Sequence, residues 1–296
     1  MIRPAKYPER LRPFLNALSA ARVGIIEVTA IDAILGEALV AFASSKIMRG
    51  IAIIKPLDGS WIDEEQVKML FKQAGLVKWI FAREDGIELR TQLYDFMDEI
   101  KQELTDSSSS QLVIPIDQHF NVKGIGLVAI GYVQSGTVNV HDELILLPAN
   151  GTGNAKSLQV MDDDVSSATA GDRVGLALRN AKEEHLSSGS ILVHPAIEDK
   201  KTNTSVPLAV ELHKRSNVEL EISPFQKRVL AVGDVVHASV DLQFVVGRIQ
   251  SVSGSTLQIE WESPLFIRRE KPEPTVLSQL DSKPRIMGNA NLSKIE

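Results

Sequence analysis

The segment that comes nearest to a phosphate-binding loop reads Gly151-Thr152-Gly153-Asn154-Ala155-Lys156-Ser157. A phosphate loop has the pattern G-x-x-x-x-G-K-S/T at a turn from a strand into a helix, where backbone N–H groups and one lysine hold the phosphates. In this sequence Ala155 stands in the place of the second glycine, and the segment lies between two predicted β-strands. The pattern therefore indicates part of a sheet rather than a nucleotide site.

Charged residues near two predicted turns could bind an anion or a cation. Arg173 follows the predicted turn at Gly171-Asp172. Its guanidinium could bind a phosphate bidentately, or Asp172 and Arg173 could form a structural ion pair. Asp162-Asp163-Asp164 resembles a cation site, but a metal cage needs further convergent oxygens, so we interpret it as a solvated turn. The six histidines show no metal-ligand spacing, and no metal is expected.

Composition narrows the class of protein. The 296 residues are enough for two or three domains, with 44% hydrophobic and 24% charged residues and no cysteine. Without cysteine there is no disulfide scaffold or thiolate zinc site, and a reducing cytoplasm is the expected location. The formal net charge of −6 argues against binding DNA or RNA through bulk charge, and no apolar run is long enough to span a membrane.

Residues 1–104 alternate between helical and extended patterns. Asp63 is expected to cap a helix that ends at Gln73, with Glu64 and Glu65 in its first turn. The pattern predicts a parallel sheet covered by helices. The predicted helices are 7–21, 32–45, 63–73 and 88–103, and the predicted strands are 23–28, 50–55 and 77–82.

The pattern changes to a two-residue period after the serine-rich segment 106–110, which we interpret as a flexible linker. Residues 111–197 and 205–296 each read as short strands separated by turns, typical of a small β-barrel. The segment 198–205 separates them. The predicted fold is therefore a parallel α/β domain (1–104) followed by two β-barrels, and we expect 111–296 to fold without 1–104. The three tryptophans, Trp61, Trp79 and Trp261, are expected in a core or an interface.

The sequence words of 114–193, from IPIDQHFNVKGIGLVAIGYVQSGTVNVHDELILLP to SLQVMDDDVSSATAGDRVGLALRN, resemble the second domain of elongation factor Tu-like translation GTPases. The selenocysteine-specific branch is the most similar. The resemblance extends more weakly to 218–292 and to 7–55, and it implies the domain order of that family, a GTPase domain and then two barrels. It also implies binding of the aminoacylated end of a tRNA by the second domain.

The nucleotide motifs of the family are degenerate here. Arg3-Pro4-Ala5-Lys6 stands where the family has D-x-x-G, so Arg3 replaces a magnesium-positioning aspartate and Lys6 replaces the glycine. Tyr7 falls at the position of the family's water-positioning histidine. Ile54-Lys55-Pro56-Leu57 aligns with the guanine-reading N-K-x-D, and Ile54 cannot form the required hydrogen bond. The resemblance therefore implies a truncated, degenerate GTPase domain without a cofactor, with GTP and magnesium as the family alternative.

Four residues are candidates for binding aminoacyl-tRNA: Asp117, Gln118, Lys123 and Arg173. In the selenocysteine-specific branch an acid, an adjacent arginine and a second arginine face the aminoacyl group, and Asp117, Gln118 and Arg173 stand at those positions. Gln118 thus replaces an arginine, which weakens the case for selenocysteine itself. Lys123 could contact a phosphate as a point charge.

Three functions remain open from the sequence. The first is a binding protein, an archaeal-type translation factor paralogue that takes aminoacyl-tRNA or a ribosome-linked partner without hydrolysing GTP. The second is a divergent GTPase, and the third is a protein-interaction adaptor that binds no RNA. The missing phosphate loop favours the first over the second, because phosphoryl transfer depends on positioning phosphates and magnesium. Asp117 and Arg173 favour the first over the third.

Overall fold

A computed structural model describes residues 2–199 and 204–295. Its first part is a three-stranded parallel sheet with order β1-β2-β3, covered by helices on both faces. The elements are α1 (Arg12–Ala20), β1 (Gly24–Val28), α2 (Ala33–Ser44), β2 (Gly50–Ile54), α3 (Glu64–Gln73), β3 (Ile80–Ala82) and α4 (Gly86–Ser108). The predicted parallel α/β part is confirmed.

Aspartate caps set the start of three of these helices. The carboxylate of Asp32 accepts a hydrogen bond from the backbone N–H of Leu35 at the start of α2. Asp63 and Asp85 do the same for the first turns of α3 and α4, each accepting from two backbone N–H groups. A cap of this kind satisfies N–H groups that have no partner within the helix. The sequence prediction for α3 is therefore confirmed at both ends.

Two local predictions are wrong. Helix α1 begins at Arg12 rather than at residue 7, because Lys6 has a positive φ of 59° and residues 5–9 form a turn. The segment 106–110 is not a flexible linker, since α4 continues to Ser108. The hydroxyls of Ser107 and Ser108 donate to helix carbonyls at 2.9 and 2.7 Å, and the carbonyl of Ser107 accepts from Gly136 of the next domain.

The second domain is a closed six-stranded barrel. Its ring runs β4-β5-β11-β8-β7-β12 and back to β4, with β9 beside β8 and a small β6–β10 pair. The strands are β4 (Ile114–Val122), β5 (Gly126–Tyr132), β6 (Thr137–Asn139), β7 (Glu143–Leu147), β8 (Gly151–Val160), β9 (Asp163–Val165), β10 (Ser167–Thr169), β11 (Arg173–Arg179) and β12 (Ile191–Val193); a short 3-10 turn spans Glu183–His185. Alternate residues of the strands fill the interior, as closure of a small barrel requires.

A second closed barrel follows, with strand order β15-β18-β17-β16-β19-β20. Its strands are β15 (Val210–Ile222), β16 (Val235–Val240), β17 (Gln243–Ser253), β18 (Thr256–Arg268), β19 (Thr275–Ser278) and β20 (Ile286–Lys294). Between the barrels β13 (Ile197–Asp199) pairs with β14 (Thr204–Val206); residues 200–203 of the predicted break lie outside the described residues. The predicted fold class, α/β followed by two β-barrels, is confirmed.

The α/β domain packs against the third domain and is not connected to the rest of the chain by a flexible linker alone. Val276 and Ile286 of the third domain belong to the same buried cluster as the side chains of α1 and α2. Next to this contact Arg285 donates to both carboxylate oxygens of Glu37 on α2, and the hydroxyl of Tyr7 lies 3.4 Å from the same carboxylate. Burial acts to raise the pKa of Glu37, but the hydrogen bonds from Arg285 outweigh it, so the pKa is lowered.

We expect Glu37→Gln to lower the free energy of unfolding by about 2 kcal/mol, because Arg285 would keep its position but lose a buried, charge-assisted pair. Denaturation with urea at neutral pH measures the effect. Glu27→Gln is the matched control, since Glu27 is an exposed carboxylate on β1 of the same domain. Equal unfolding midpoints for the two variants would show that the pair adds nothing to the contact between these domains.

Candidate functional site

The first pair of candidate site residues lies at an irregular step in β4. Ile116 stands opposite Gly131 of β5, and Gln118 stands opposite Ile130, so Asp117 is an extra residue on its strand. Such a bulge redirects the side chains next to it. Asp117 is half-buried, and the amide of the exposed Gln118 donates to its carboxylate at 3.3 Å.

Arg173 begins β11 and stands opposite Tyr132, at the end of β5. Its side chain is exposed, and within residues 2–199 and 204–295 it makes no hydrogen bond or ion pair. The neighbouring carboxylate of Asp172 instead accepts from the backbone N–H of Thr169 at 2.8 Å and closes the turn. The alternative that Asp172 and Arg173 form a structural ion pair is therefore wrong, and Arg173 is free to bind a ligand.

The strand register places Asp117 and Arg173 on the two sides of the same end of β5. They are separated by two strand spacings, about 10 Å. Lys123 lies in the turn between β4 and β5, at the other end of the hairpin, six residues or about 20 Å along the strand from Asp117. The structure thus brings Asp117, Gln118 and Arg173 to one region of the barrel, and it places Lys123 elsewhere.

That end of β5 also adjoins the α/β domain. Just beyond Tyr132 the amide nitrogen of Gln134 donates to the carbonyl of Ser19 at 2.8 Å, and its amide oxygen accepts from Arg22 at 2.6 Å. A carboxylate about 10 Å from a guanidinium can accept from an amino group while the guanidinium donates to nearby phosphate oxygens. The sequence analysis did not identify Gln134 or Arg22, because no pattern within either segment indicates that they meet.

Arg22 belongs to a charged chain of contacts that joins the three domains. It contacts the carboxylate of Glu273 at 3.2 Å, and Glu273 in turn accepts from Arg268 at 2.6 Å. Burial lowers the pKa of Arg22, although Asp241 and Glu103 oppose the shift. A cavity of about 430 Å³ adjoins this chain. Four basic residues line this cavity: Arg22, Lys46, Arg49 and Lys78. All of them except Lys78 form ion pairs with acidic residues in the structure.

The segment that aligns with the family's guanine-reading motif lies at the end of β2, and its one cation, Lys55, has an acidic partner. Ile54 packs against the core of the α/β domain. Lys55 forms an ion pair with Glu84 at 2.6 Å, and this hydrogen bond raises the pKa of the lysine. Anions bind at the carboxyl ends of parallel strands because helix N-termini there present free N–H groups. Here aspartates cap α2, α3 and α4, accept from one or two of those N–H groups each, and place negative charge at the helix N-termini.

The residues at the position of D-x-x-G are no better placed for a nucleotide. Arg3 and Lys6 are exposed. Tyr7 packs its ring on Phe14 with centroids 4.3 Å apart, and its hydroxyl is held at Glu37. Burial, with Glu37 adding to it, raises the pKa of Tyr7, so its hydroxyl stays neutral. Tyr7 also packs against the buried cluster that α1 and α2 share with Val276 and Ile286 of the third domain.

The remaining predicted features can also be placed. The segment 151–157 lies within strand β8, as its pattern indicated. Trp79 and Trp261 are buried, but Trp61 is 81% exposed, so it does not lie in a core, and its place in an interface stays a prediction. No group of metal-ligating side chains occurs in the described part of the chain. None of the described helices is long and apolar enough to cross a membrane.

Comparison with known proteins finds similarity to translation elongation factors in one family model and in curated sequences. The family model of elongation factor Tu domain 2 matches residues 126–193, which include Arg173. An uncharacterized protein of Methanocaldococcus jannaschii is 26% identical over 291 residues, covering 98% of this chain and 86% of that protein. The selenocysteine-specific elongation factor of the same organism is 40% identical over 124 residues, which are 41% of this chain and 26% of that factor.

The fold has a close counterpart among solved structures. The crystal structure of a bacterial selenocysteine-specific elongation factor superposes with a TM-score of 0.74 at 20% identity, covering 97% of this chain and 47% of that one. The chain thus spans only a quarter to a half of these two elongation factors. The predicted resemblance to elongation factor Tu-like proteins is confirmed, and the matches include selenocysteine-specific elongation factors both in sequence and in fold.

Proposed function

We propose, from the relationship of this chain to elongation factor Tu-like translation factors, that it binds the aminoacylated end of a tRNA, or a ribosome-associated partner, without hydrolysing GTP. The binding site is the side of the first barrel that carries Asp117, Gln118 and Arg173. Asp117 would receive the α-amino group of the aminoacyl ester, and Arg173 the terminal phosphates. The protein acts in this view as a binding protein rather than as an enzyme.

The exposed guanidinium of Arg173 is the observation that carries this proposal. An arginine without a partner at the end of a strand, in a domain that matches elongation factor Tu domain 2, is available for a ligand. Asp117 supports it from the other side of β5. The net charge of −6 limits any RNA contact to such local positions.

Two other functions compete with this one. A divergent GTPase would need phosphate-binding N–H groups, but aspartates cap the helices at the carboxyl edge of the parallel sheet. The function of an adaptor that binds only protein would not require Arg173 and Asp117 to lie in one region of the barrel. Purification of the protein from cells followed by sequencing of the bound RNA separates the adaptor from the tRNA-binding function.

We expect Arg173→Ala to weaken binding of aminoacyl-tRNA by about 1.5–3 kcal/mol, the scale of a charge-assisted hydrogen bond. Stability should change little, because the side chain is exposed and has no partner in the described residues. Filter binding or fluorescence anisotropy with charged and deacylated tRNA measures the effect. Deacylated tRNA should bind less well to the unchanged protein, because Asp117 would lose its amino partner.

Arg179→Ala is the matched control, because Arg179 is an exposed arginine at the other end of the same strand. It removes the same charge, so a nonspecific electrostatic effect would weaken binding equally in both variants. Equal affinity for charged and uncharged tRNA, or equal loss in both variants, would refute the site and favour the adaptor.

GTP with magnesium should not raise the melting temperature of the protein. A ligand at 100-fold excess over its Kd stabilises the folded state by about 2.7 kcal/mol, so thermal denaturation detects even weak specific binding. ATP with magnesium is the control for nonspecific effects of a nucleotide. A rise that requires both GTP and magnesium would contradict the proposal and establish the divergent GTPase.

A further inference from the structure

The carboxyl-terminal edge of the parallel sheet carries a group of exposed apolar side chains. Three loops meet there because the carboxyl ends of adjacent parallel strands share one edge. We call the residues 29–34, 55–63 and 83–88 the sheet-edge surface. Its large exposed apolar residues are Ile31, Ile34, Leu57, Trp61 and Ile87.

Three of these apolar side chains are largely exposed, and they come from two of the loops that meet at this edge of the sheet. Trp61 and Ile87 are each 81% exposed and Leu57 is 65% exposed. Leu57 and Trp61 flank a tight turn, closed by the N–H of Ser60 donating to the carbonyl of Leu57 at 2.9 Å. The ion pair of Lys55 with Glu84 joins this loop to the one that precedes Ile87. Clustered exposed apolar residues with a tryptophan are typical of protein interfaces.

The charges around the apolar residues indicate the chemistry of the occupant. The sheet-edge surface contains six carboxylates and two cations. Lys55 pairs with Glu84, and three of the other carboxylates cap helices, but acidic groups still outnumber basic ones. The carboxylates are Asp32, Asp58, Asp63, Glu84, Asp85 and Glu88. Such a rim repels the phosphates of a nucleic acid and attracts lysine and arginine side chains.

We propose that the sheet-edge surface docks a basic amphipathic segment of a partner protein. Apolar side chains of that segment cover Leu57, Trp61 and Ile87, and its lysines or arginines face the surrounding carboxylates. The site lies on the α/β domain and uses none of the residues proposed to bind tRNA. The degenerate nucleotide edge thus has a protein-binding role in place of a nucleotide.

Tryptophan fluorescence tests the proposal on the full chain. Trp61 is the exposed tryptophan among the three, since Trp79 and Trp261 are 5% and 6% exposed. The probe is a synthetic amphipathic helical peptide of leucine and lysine. We expect a blue shift on titration, an affinity that falls as salt is added, and no shift with the leucine and glutamate peptide of the same pattern.

Leu57→Ser combined with Ile87→Ser should weaken binding of the leucine–lysine peptide by at least about tenfold, the loss expected when central apolar anchors are removed. Val229→Ser is the matched control, because Val229 is an 86% exposed apolar residue on the third domain. Circular dichroism confirms that the variants are folded. Affinity for aminoacyl-tRNA, measured on the same variants, should be unchanged, so failure here leaves the proposed tRNA site unaffected.

Three results would overturn the proposal. The first is equal binding of the acidic peptide, or of the basic peptide to the double variant. The second is a blue shift in the protein alone that rises with its concentration, which would assign the surface to a second copy of this chain. The third is a blue shift with single-stranded RNA that the double variant abolishes, which would assign it to nucleic acid.

Discussion

Replacing Arg268 by methionine should lower the free energy of unfolding by about 3–5 kcal/mol, because it leaves a buried carboxylate without its partner. Arg268 donates from Nε and Nη2 to the two oxygens of Asp241 at 3.0 and 3.2 Å, and Asp241 is fully buried. Methionine fills much of the same volume, so the loss reports the charge rather than a cavity. Denaturation with urea, followed by circular dichroism, measures it.

The control lies in the next residue. Arg269→Met removes an arginine whose side chain is 41% exposed and whose ion pair with Glu211 is long, at 3.5 Å. The free energy of unfolding should therefore change by no more than about 0.5 kcal/mol. The double variant Arg268→Met with Asp241→Leu should recover part of the loss, because no unpaired charge remains. Similar midpoints for Arg268→Met and Arg269→Met would mean that water reaches Asp241.

The effect of Arg268→Met should extend beyond the third domain. Glu273 accepts from Arg268 and from Arg22, and Arg22 also donates to Gln134, so one chain of contacts reaches all three domains. Without Arg268, Glu273 would hold Arg22 alone. A residue of the third domain is therefore linked, through Glu273 and Arg22, to the contact between the first barrel and the α/β domain.

The elements of the fold follow from local sequence rules, and the contacts between domains do not. The Asp63 cap and the acidic first turn defined α3 to the residue, because capping depends on neighbours within one turn. The serine-rich end of α4 was misread, since serine hydroxyls can return to helix carbonyls and Gly136 secures the Ser107 carbonyl. No local rule predicts that Arg22 and Glu273, 251 residues apart, form a partly buried contact.

For the candidate site, the sequence likewise identified residues but not the distances between them. The resemblance to the Tu-like family supplied Asp117, Gln118, Lys123 and Arg173, but it said nothing of their distances. The strand register sets those distances, because it is fixed by the whole barrel and shifts at the Asp117 bulge. The exposed position of Trp61 was equally hidden, since a loop residue has no periodicity that reveals which side it faces.

Trp79 shows how a tertiary contact dictates residues elsewhere in the chain. Its indole lies over the first residues of β1 and β2, where a Cβ on Gly24 or Gly50 would come within 2.5 or 2.6 Å of the ring. Only glycine leaves room for the ring at both positions. The two strands therefore cannot close over the space if the tryptophan is removed, because no side chain there can extend into it.

Trp79→Ala should consequently destabilise the protein by about 3–5 kcal/mol. The substitution removes ring contacts with Phe42 and Phe71, at centroid distances of 4.6 and 5.5 Å, and a hydrogen bond from the indole nitrogen to the carbonyl of Ile47. Trp61→Ala is the matched control: the same atoms are deleted from an 81% exposed side chain, so the midpoint of thermal or urea unfolding should hardly move. A small effect of Trp79→Ala would show that α2 and α3 collapse onto the sheet despite the two glycines, and a large effect of Trp61→Ala would show that its loop packs on the domain.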